Sequence, residues 1–300
     1  MKDYFHIPVM LKEVLELLDI KKGGQYIDGT LGGGGYTRAI SQAIGKKGKM
    51  LSTDLDPLAI DNFLENKLEN VLVINDNFSN IKEVVLKNKK FLLKNKFDGI
   101  VVDLGLSSAQ LEDDDRGFSF QHDSNLDMSF GPQIENSTYW IVNNYQSSDL
   151  EKIIKEYGEE SWARKIVEHI IAYKKKKRIE TTQELAEIIA GAIPKKFWAK
   201  RIHPATKTFQ ALRIETNQEL ESLKEFLPQA IELLDKGGRL VVVSFHSLED
   251  RIVKNYFRDL SKLEDCNIRI LTPKPLIPEQ SEIEKNYRSR SAKLRAIEKI

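Results

Sequence analysis

One cysteine, Cys266, occurs among 300 residues. A single thiol excludes an internal disulfide framework and any zinc site built from clustered cysteines, and it fits a reducing compartment. Long apolar runs are missing too. No stretch approaches the roughly 20 apolar residues that a bilayer-crossing helix needs, and the opening "MKDYFHIPVML" lacks the charged start and apolar continuation of a secretory signal. A cytoplasmic protein with no membrane partner is therefore expected. The five histidines, His6 and His122 among them, show no metal-ligand spacing such as H-E-x-x-H, so no protein-built metal is expected. Ser107, Ser108 and Ser244 lack the G-x-S-x-G elbow, which argues against a hydrolase.

An excess of charge of one sign is also absent, the net charge being +1. Its distribution is uneven. Basic residues gather in "KKKKR" (Lys174 to Arg178), "KKFWAKR" (Lys195 to Arg201) and "KNYRSRSAKLR" (Lys285 to Arg295), while "EDDD" (Glu112 to Asp115) is an acidic knot. A lysine run alone is ordinarily a solvated helix face. Three clusters, two of them with aromatic residues beside the charges, lean toward a phosphate-rich partner.

Short β-like runs alternate with helical patterns through the first hundred residues, as in strands joined by crossover helices into a parallel sheet. "QYID", "KMLSTD", "VLVIND" and the nearly continuous apolar "DGIVVDLG" read as strands, the last buried on both faces. From about Asp113 to His203 no convincing strand appears, and helical segments follow one another. Ser148 with Glu151, and Thr181 with Glu184, have capping-box spacing, as do Thr216 and Glu219 where the α/β pattern resumes. "GGRLVVVSF" and "NIRILT" are the remaining strands. The expected fold is a doubly wound α/β sheet, with residues 1–112 and 204–300 in one domain and an all-helical insert over 113–203.

Ligands of open α/β sheets bind beyond the carboxyl ends of the strands. There the sequence places "DGTLGGGG" after strand one, Asp54 and Asp56 after strand two, Asp76 and Phe78 after strand three, Asp103 after strand four and His246 after "VVVSF". Glycines admit backbone close to a ligand, and a carboxylate after strand two suits a ribose diol. The dinucleotide fingerprint is incomplete, because Arg38 stands where a third glycine would fall. Four strand-end acids disfavour a diphosphate and favour a cationic nucleoside cofactor such as S-adenosylmethionine. Trp140, Trp162 and Trp198 are read as core of the helical segment as readily as base-stacking platforms.

The strings "HIPVMLKEVLELL", "YIDGTLGGGGYTRAI", "DLDP", "DGIVVDLGLSSAQLEDDDRGFSF", "RIHPATKTFQALRIETNQEL", "GGRLVVVSFHSLEDRIVK" and "NYRSRSAKLR" resemble, in order and spacing and nearly end to end, the bacterial ribosomal small-subunit RNA cytosine methyltransferase family called RsmH or MraW. The resemblance implies a Rossmann-like S-adenosylmethionine-dependent methyltransferase sheet interrupted by a helical substrate-recognition domain. It implies methylation of the exocyclic amino nitrogen, N4, of one cytidine in the decoding region of 16S ribosomal RNA. The implied partner is that RNA within the small subunit, with no DNA, and homodimerisation is left open.

Carried over by motif, the cofactor contacts are Gly34, Gly35, Tyr36, Asp54, Phe78, Asp103 and Gln110, with Phe78 against adenine and Asp54 on the ribose. The family usually has histidine at position 36, arginine within the stretch that here reads "LDMSF", and proline at position 287. No D/N-P-P-Y/F turn occurs, so Asp103 with Ser107 and Ser108 is expected to border the reacting amine, with Ser244 and His246 behind them. His203, Lys207, Gln210 and Arg213 are the expected RNA or cleft contacts. An NAD-dependent oxidoreductase and a non-catalytic RNA-binding or ribosome-assembly protein are the rival readings.

Overall fold

In β4 (Phe97–Asp103) and β5 (Leu234–Ser244) alternate residues of two apolar runs enter two different cores, which is what burial on both faces of a sheet requires. Ile100, Val102, Leu240 and Val242 join one cluster, and Val101, Val241 and Val243 join the other. The computed structural model describes residues 8–107, 110–111, 113, 115–132, 134–200, 202–263 and 267–300. His6, Ser108 and Cys266 lie outside the described residues.

Seven strands make one sheet in the order β3-β2-β1-β4-β5-β7-β6. The strands β1 (Gln25–Asp28), β2 (Lys49–Asp54), β3 (Val71–Asn75), β4 and β5 are mutually parallel. The antiparallel β7 (Lys293–Lys299) lies between β5 and β6 (Ile268–Ile270). This is a doubly wound, Rossmann-like sheet. One face carries α1 (Leu11–Leu18), α2 (Gly35–Ile44) and α3 (Pro57–Leu64), whose apolar residues share a core with Tyr26 and Met50. The other carries α4 (Ile81–Lys87), α10 (Glu219–Leu233) and α11 (Ser247–Leu260), with Phe226 fully buried among them. A short α12 (Gln280–Lys285) precedes β7. The sequence reading included the β6 segment but not β7, whose "KLRAIEK" looks charged until Leu294, Ala296 and Ile297 are seen to be buried.

Contacts divide the chain into two compact units, Met1–Gly105 with Leu220–Ile300, and Leu106–Glu219. The second unit is all-helical among the described residues apart from one isolated bridge, Asn125 to Thr181. It contains α5 (Thr138–Asn144), α6 (Ser147–Glu156), α7 (Ala163–Lys174), α8 (Thr182–Ala192) and α9 (Thr206–Asn217). It is longer than the insert of 113–203 drawn from sequence. The reason is α9, whose Phe209 and Leu212, with Ala205, are buried in the helical core beside Leu150, Ile166 and Leu185.

Of the three expected capping boxes, one forms in part. Thr181 Oγ1 accepts from the Glu184 amide at 3.3 Å, while Glu184 Oε2 reaches the amide of Glu180 rather than that of Thr181. Ser148 lies inside α6, which starts at Ser147 with Gln146 before it and no side-chain cap. Thr216 belongs to the last turn of α9, where its hydroxyl meets Thr138 Oγ1 at 2.7 Å. The spacing alone could not say which Ser or Thr stands outside its helix, and only that position can cap. Among the described residues no helix is long and apolar enough to cross a membrane.

Thr181→Ala is expected to cost about 1 kcal/mol of stability, whereas Ser148→Ala should stay within about 0.5 kcal/mol. Urea unfolding midpoints measure both, and equal losses would contradict the caps.

Candidate functional site

Strand order reverses at β1, which has β2 on one side and β4 on the other. At such a switch point the connections run apart and leave a crevice at the carboxyl edge. The first residues past β1 and β4 therefore line it. Asp28 ends β1 and is fully buried. Its Oδ1 accepts from the Thr30 amide at 3.1 Å, and its Oδ2 from Thr37 Oγ1 at 2.7 Å, which in turn meets Ser52 Oγ at 2.7 Å. Thr30 then reaches across the switch point, its Oγ1 accepting from the Asp103 amide at 2.7 Å.

Asp103 ends β4 with Oδ1 buried and without a hydrogen-bond partner. Burial holds its carboxyl well above the usual carboxylate range, and the nearby Asp28 and Glu249 push the same way. Asp28 is itself pushed up to about 7, chiefly by burial, although the Thr37 and Thr30 donors pull it down and Asp54 adds to the rise. Acids arranged so that each resists ionisation suit a cation that can neutralise them.

The glycine turn between β1 and α2 is fixed partly by packing. Gly34 has φ +75°, and a Cβ there would stand 2.6 Å from the Phe63 ring. Any Cβ on Gly35 would meet Pro8 at 2.6 Å. Tyr36 is buried in the core, and its hydroxyl donates to the Val9 carbonyl. Its side chain is thus spent on the fold, leaving only its backbone for a ligand. Asp54 ties the turn to β2, since its Oδ2 accepts from the Gly32 amide at 2.7 Å and its Oδ1 from the Asp56 amide at 2.9 Å. Past β3, Asp76 Oδ1 accepts from the Asn77 amide, and Phe78 starts a short 3-10 turn edge-on to Phe226 at 5.3 Å.

At the end of β5, His246 caps α11. Its Nδ1 accepts from the Glu249 amide at 3.4 Å, while Glu249 Oε2 accepts from the amides of Phe245 and His246. The ring is a structural cap first. Ser244 is buried, with its hydroxyl on the Lys293 carbonyl at 3.2 Å. Arg38, the residue in the third-glycine place, lies over the Phe63 ring at 4.3 Å and donates to the Asn66 carbonyl. It offers nothing to a diphosphate.

In the helical unit, Ser107 and Gln110 cap each other. The Ser107 amide donates to Gln110 Oε1 at 3.0 Å, and the Gln110 amide to Ser107 Oγ at 3.2 Å. Ser108 lies outside the described residues. Lys207 Nζ donates to the Glu159 carbonyl at 3.0 Å, and Gln210 Nε2 to the Tyr157 carbonyl at 3.1 Å, fastening α9 to the end of α6. Arg213 makes a two-pronged pair with Glu219 at 2.8 and 2.9 Å. His203 accepts from the Ala205 amide and lies against Phe120. These four side chains hold the helical unit together before they can hold anything else. Of the lysine run, Lys174 is held the same way, its Nζ donating to the Val142 and Tyr145 carbonyls, while residues 175–178 are exposed. Trp162 and Trp198 pack on the helical core, whereas Trp140 is exposed.

Sequence reasoning missed Thr30, Thr37 and Ser52. The available signal was a hydroxyl two residues past a strand-end acid, "DGT", which reads as ordinary turn chemistry. The residues present suit S-adenosylmethionine. Asp103 Oδ1 has a lone pair to offer a cationic group, and Asp54 stands at the end of β2 beside the glycine turn.

The MraW methylase family model matches residues 3–300. The chain is 42% identical over 316 residues to ribosomal RNA small subunit methyltransferase H of Clostridioides difficile, covering 99% of this chain and 100% of that one. It is 44% identical over 317 residues to the protein of that name from a Geobacter species, covering 100% of both. Among solved structures, it is similar to an rRNA methylase from Streptococcus thermophilus at 10% identity and a TM-score of 0.45, over 99% of each chain.

Two outcomes follow from the geometry. In the unfolded chain Asp28 ionises near 3.8, and in the folded one near 7. Between those values the native state holds more protons, so the Asp28 contribution to stability falls as pH rises and is lowest above about 7. At about 1.4 kcal/mol per pH unit the swing is a few kcal/mol. Asp28→Asn should remove it, seen as a wild-type urea midpoint that drops relative to the variant as pH rises through this window. Tyr36→Phe should lose roughly 1 kcal/mol of stability and leave the affinity for S-adenosylhomocysteine, measured by calorimetry, unchanged.

Proposed function

The chain belongs to the MraW methylase family, and from that premise we propose that it methylates N4 of one cytidine in the decoding region of 16S RNA in the small ribosomal subunit. It is an S-adenosylmethionine-dependent methyltransferase of small-subunit ribosomal RNA. The choice of base, atom and region extends that reading by the resemblance of its motifs. Its place of action is the cytoplasm, where small subunits are assembled.

The observation that carries the reading is the buried, unpartnered Asp103 Oδ1 at the switch point, with Asp28 and Glu249 keeping it short of counter-charge. When bound, S-adenosylmethionine supplies a methyl carbon made electrophilic by the attached sulfonium. Asp103 is the residue to meet its positive charge, and that charge lowers the cost of ionising the carboxyl. Thr30 fixes where Asp103 leaves β4, and Asp28 fixes Thr30. Asp54 offers lone pairs to the ribose, and Phe78 offers its ring to adenine. Gly34, Gly35 and the Tyr36 backbone form the wall of the turn.

The cytosine amine is a weak nucleophile because its lone pair is delocalised into the ring. In transfer its nitrogen gains the methyl and gives up one proton, so an oxygen accepting that proton helps to localise the pair. Asp103, once ionised, is the group assigned to border the amine. His246, its Nδ1 engaged in the cap, acts by holding Glu249, whose Oε2 fixes the Phe245 amide. Alignment of amine, methyl and sulfur, with water excluded, accounts for the remainder of the rate. Gln110, His203, Lys207, Gln210 and Arg213 support this chemistry by shaping the helical substrate-recognition unit. A dinucleotide reaction is disfavoured, since a diphosphate would push Asp28 and Asp103 further from ionising and gain no counter-charge from them.

Small subunits from a strain lacking the enzyme should gain one N4-methylcytidine in the decoding region when incubated with protein and cofactor, as mapped on the RNA. No transfer, or transfer to another atom, overturns the reading. Asp103→Ala should weaken cofactor binding at least about 30-fold and depress single-turnover transfer. Wild-type values in both would remove Asp103 from the site.

A further inference from the structure

The antiparallel β7 enters the sheet at Lys293, which pairs with Ser244 at the carboxyl end of β5. The residues just before β7 therefore lie on the same edge of the sheet as the candidate site. They form a 3-10 turn, Tyr287–Ser291. Ser289 at its centre is fully buried, and its hydroxyl donates to the Asn286 carbonyl at 2.8 Å. The Asn286 side chain accepts from the Arg288 amide at 3.2 Å, and the Ala292 amide donates to the Ser289 carbonyl at 2.8 Å. Lys293 and Arg295 then pin the strand to Asp250 in the first turn of α11, at 3.2 and 2.6 Å.

On this fixed turn Tyr287 is 63% exposed, and the Arg290 guanidinium lies 4.2 Å from its ring centroid. Lys285, Arg288 and Arg290 are exposed within the same six residues. The acidic neighbours are turned to other groups. Glu282 Oε1 accepts from the Met10 amide at 2.7 Å, and Glu284 Oε1 from Gln280 Nε2 at 3.2 Å. An exposed aromatic ring backed by arginine, with further cations beside it, is costly as bare surface and matches the two features of single-stranded nucleic acid, base faces and phosphates.

We infer that the turn Tyr287–Ser291 is a docking platform for a single-stranded stretch of the RNA substrate, Tyr287 stacking on a base beside the target and Arg290 and Lys285 meeting phosphates. The inference rests on the ribosomal RNA reading above. It assigns a role to a residue that the family resemblance does not supply, since proline is commoner at position 287. Stacking on tyrosine tolerates any base, so the platform holds the strand and leaves choice of the target to the site.

The test uses the full chain and labelled small subunits from a strain lacking the enzyme. Particle binding is read by filter retention at several salt concentrations, beside methyl transfer and calorimetry with S-adenosylhomocysteine. Tyr287→Ala should weaken particle binding and raise KM by roughly 5- to 100-fold, with kcat and S-adenosylhomocysteine affinity unchanged, and Tyr287→Phe should restore both. Arg290→Ala should reduce the slope of log affinity against log salt by about 0.7. Wild-type binding in Tyr287→Ala and Arg290→Ala overturns the inference. So does loss of affinity with an unchanged salt slope in Arg290→Ala, which marks a protein contact, and so does loss of S-adenosylhomocysteine binding in either variant, which marks a structural turn. Absence of transfer by the wild-type protein is the separate failure of the methyltransferase reading, because particle binding is scored independently of transfer.

Discussion

Burying Asp28 at the end of β1 is the constraint from which the site is built. A carboxyl without water must keep its proton or collect donors, and here it does both in part, with Thr30 and Thr37 as donors. Those two threonines bind the acid to the glycine turn and to α2, and Thr30 also carries the backbone of Asp103. One buried acid thereby fixes the start of the turn, the first helix after it and the end of the neighbouring strand. The same burial sets the electrostatics. With Asp28 and Glu249 close by, Asp103 has every reason to avoid ionising until positive charge arrives.

This arrangement costs the fold stability. Local rules for a stable core disfavour an unpartnered buried oxygen such as Asp103 Oδ1, and departures of that kind are expected where function requires them. Among its described neighbours at the same edge, only His246 shares the departure, its buried Nε2 also lacking a hydrogen-bond partner while it lies 3.1 Å from Glu249 Oε1. Asp54 accepts two backbone amides, Ser244 donates to a carbonyl, and His246 completes a helix cap. Among the described acids at this edge, Asp103 is the one with a buried oxygen left without a hydrogen-bond partner.

The four consecutive glycines illustrate how a correct reading can rest on an incomplete reason. Their place after β1 points to a ligand turn, and the turn is there. Two of them, however, are also required by Phe63 and Pro8, which come from other parts of the chain. Tyr36 goes further, because the residue that ends the motif faces the core and donates to Val9. Likewise Lys207, Gln210 and Arg213 are expected from sequence to contact RNA or the cleft, yet each is answered by a carbonyl or carboxylate of the helical unit. Side-chain type indicates what a residue can do, and its partners depend on segments far away in the chain.

The alternation of apolar and polar residues was enough to determine the parallel strands, the helical stretch between them and the row of acids at the strand ends, since these depend on periodicity and order along the chain. Long motif strings were enough to determine the family. Packing decided that α9 belongs to the helical unit, that Thr216 closes a helix instead of opening one, and that a charged tail forms the strand β7. It also decided which acid keeps an open lone pair. Those outcomes depend on which distant groups share a buried space, and desolvation there can turn a carboxylate into an acid that awaits a cation.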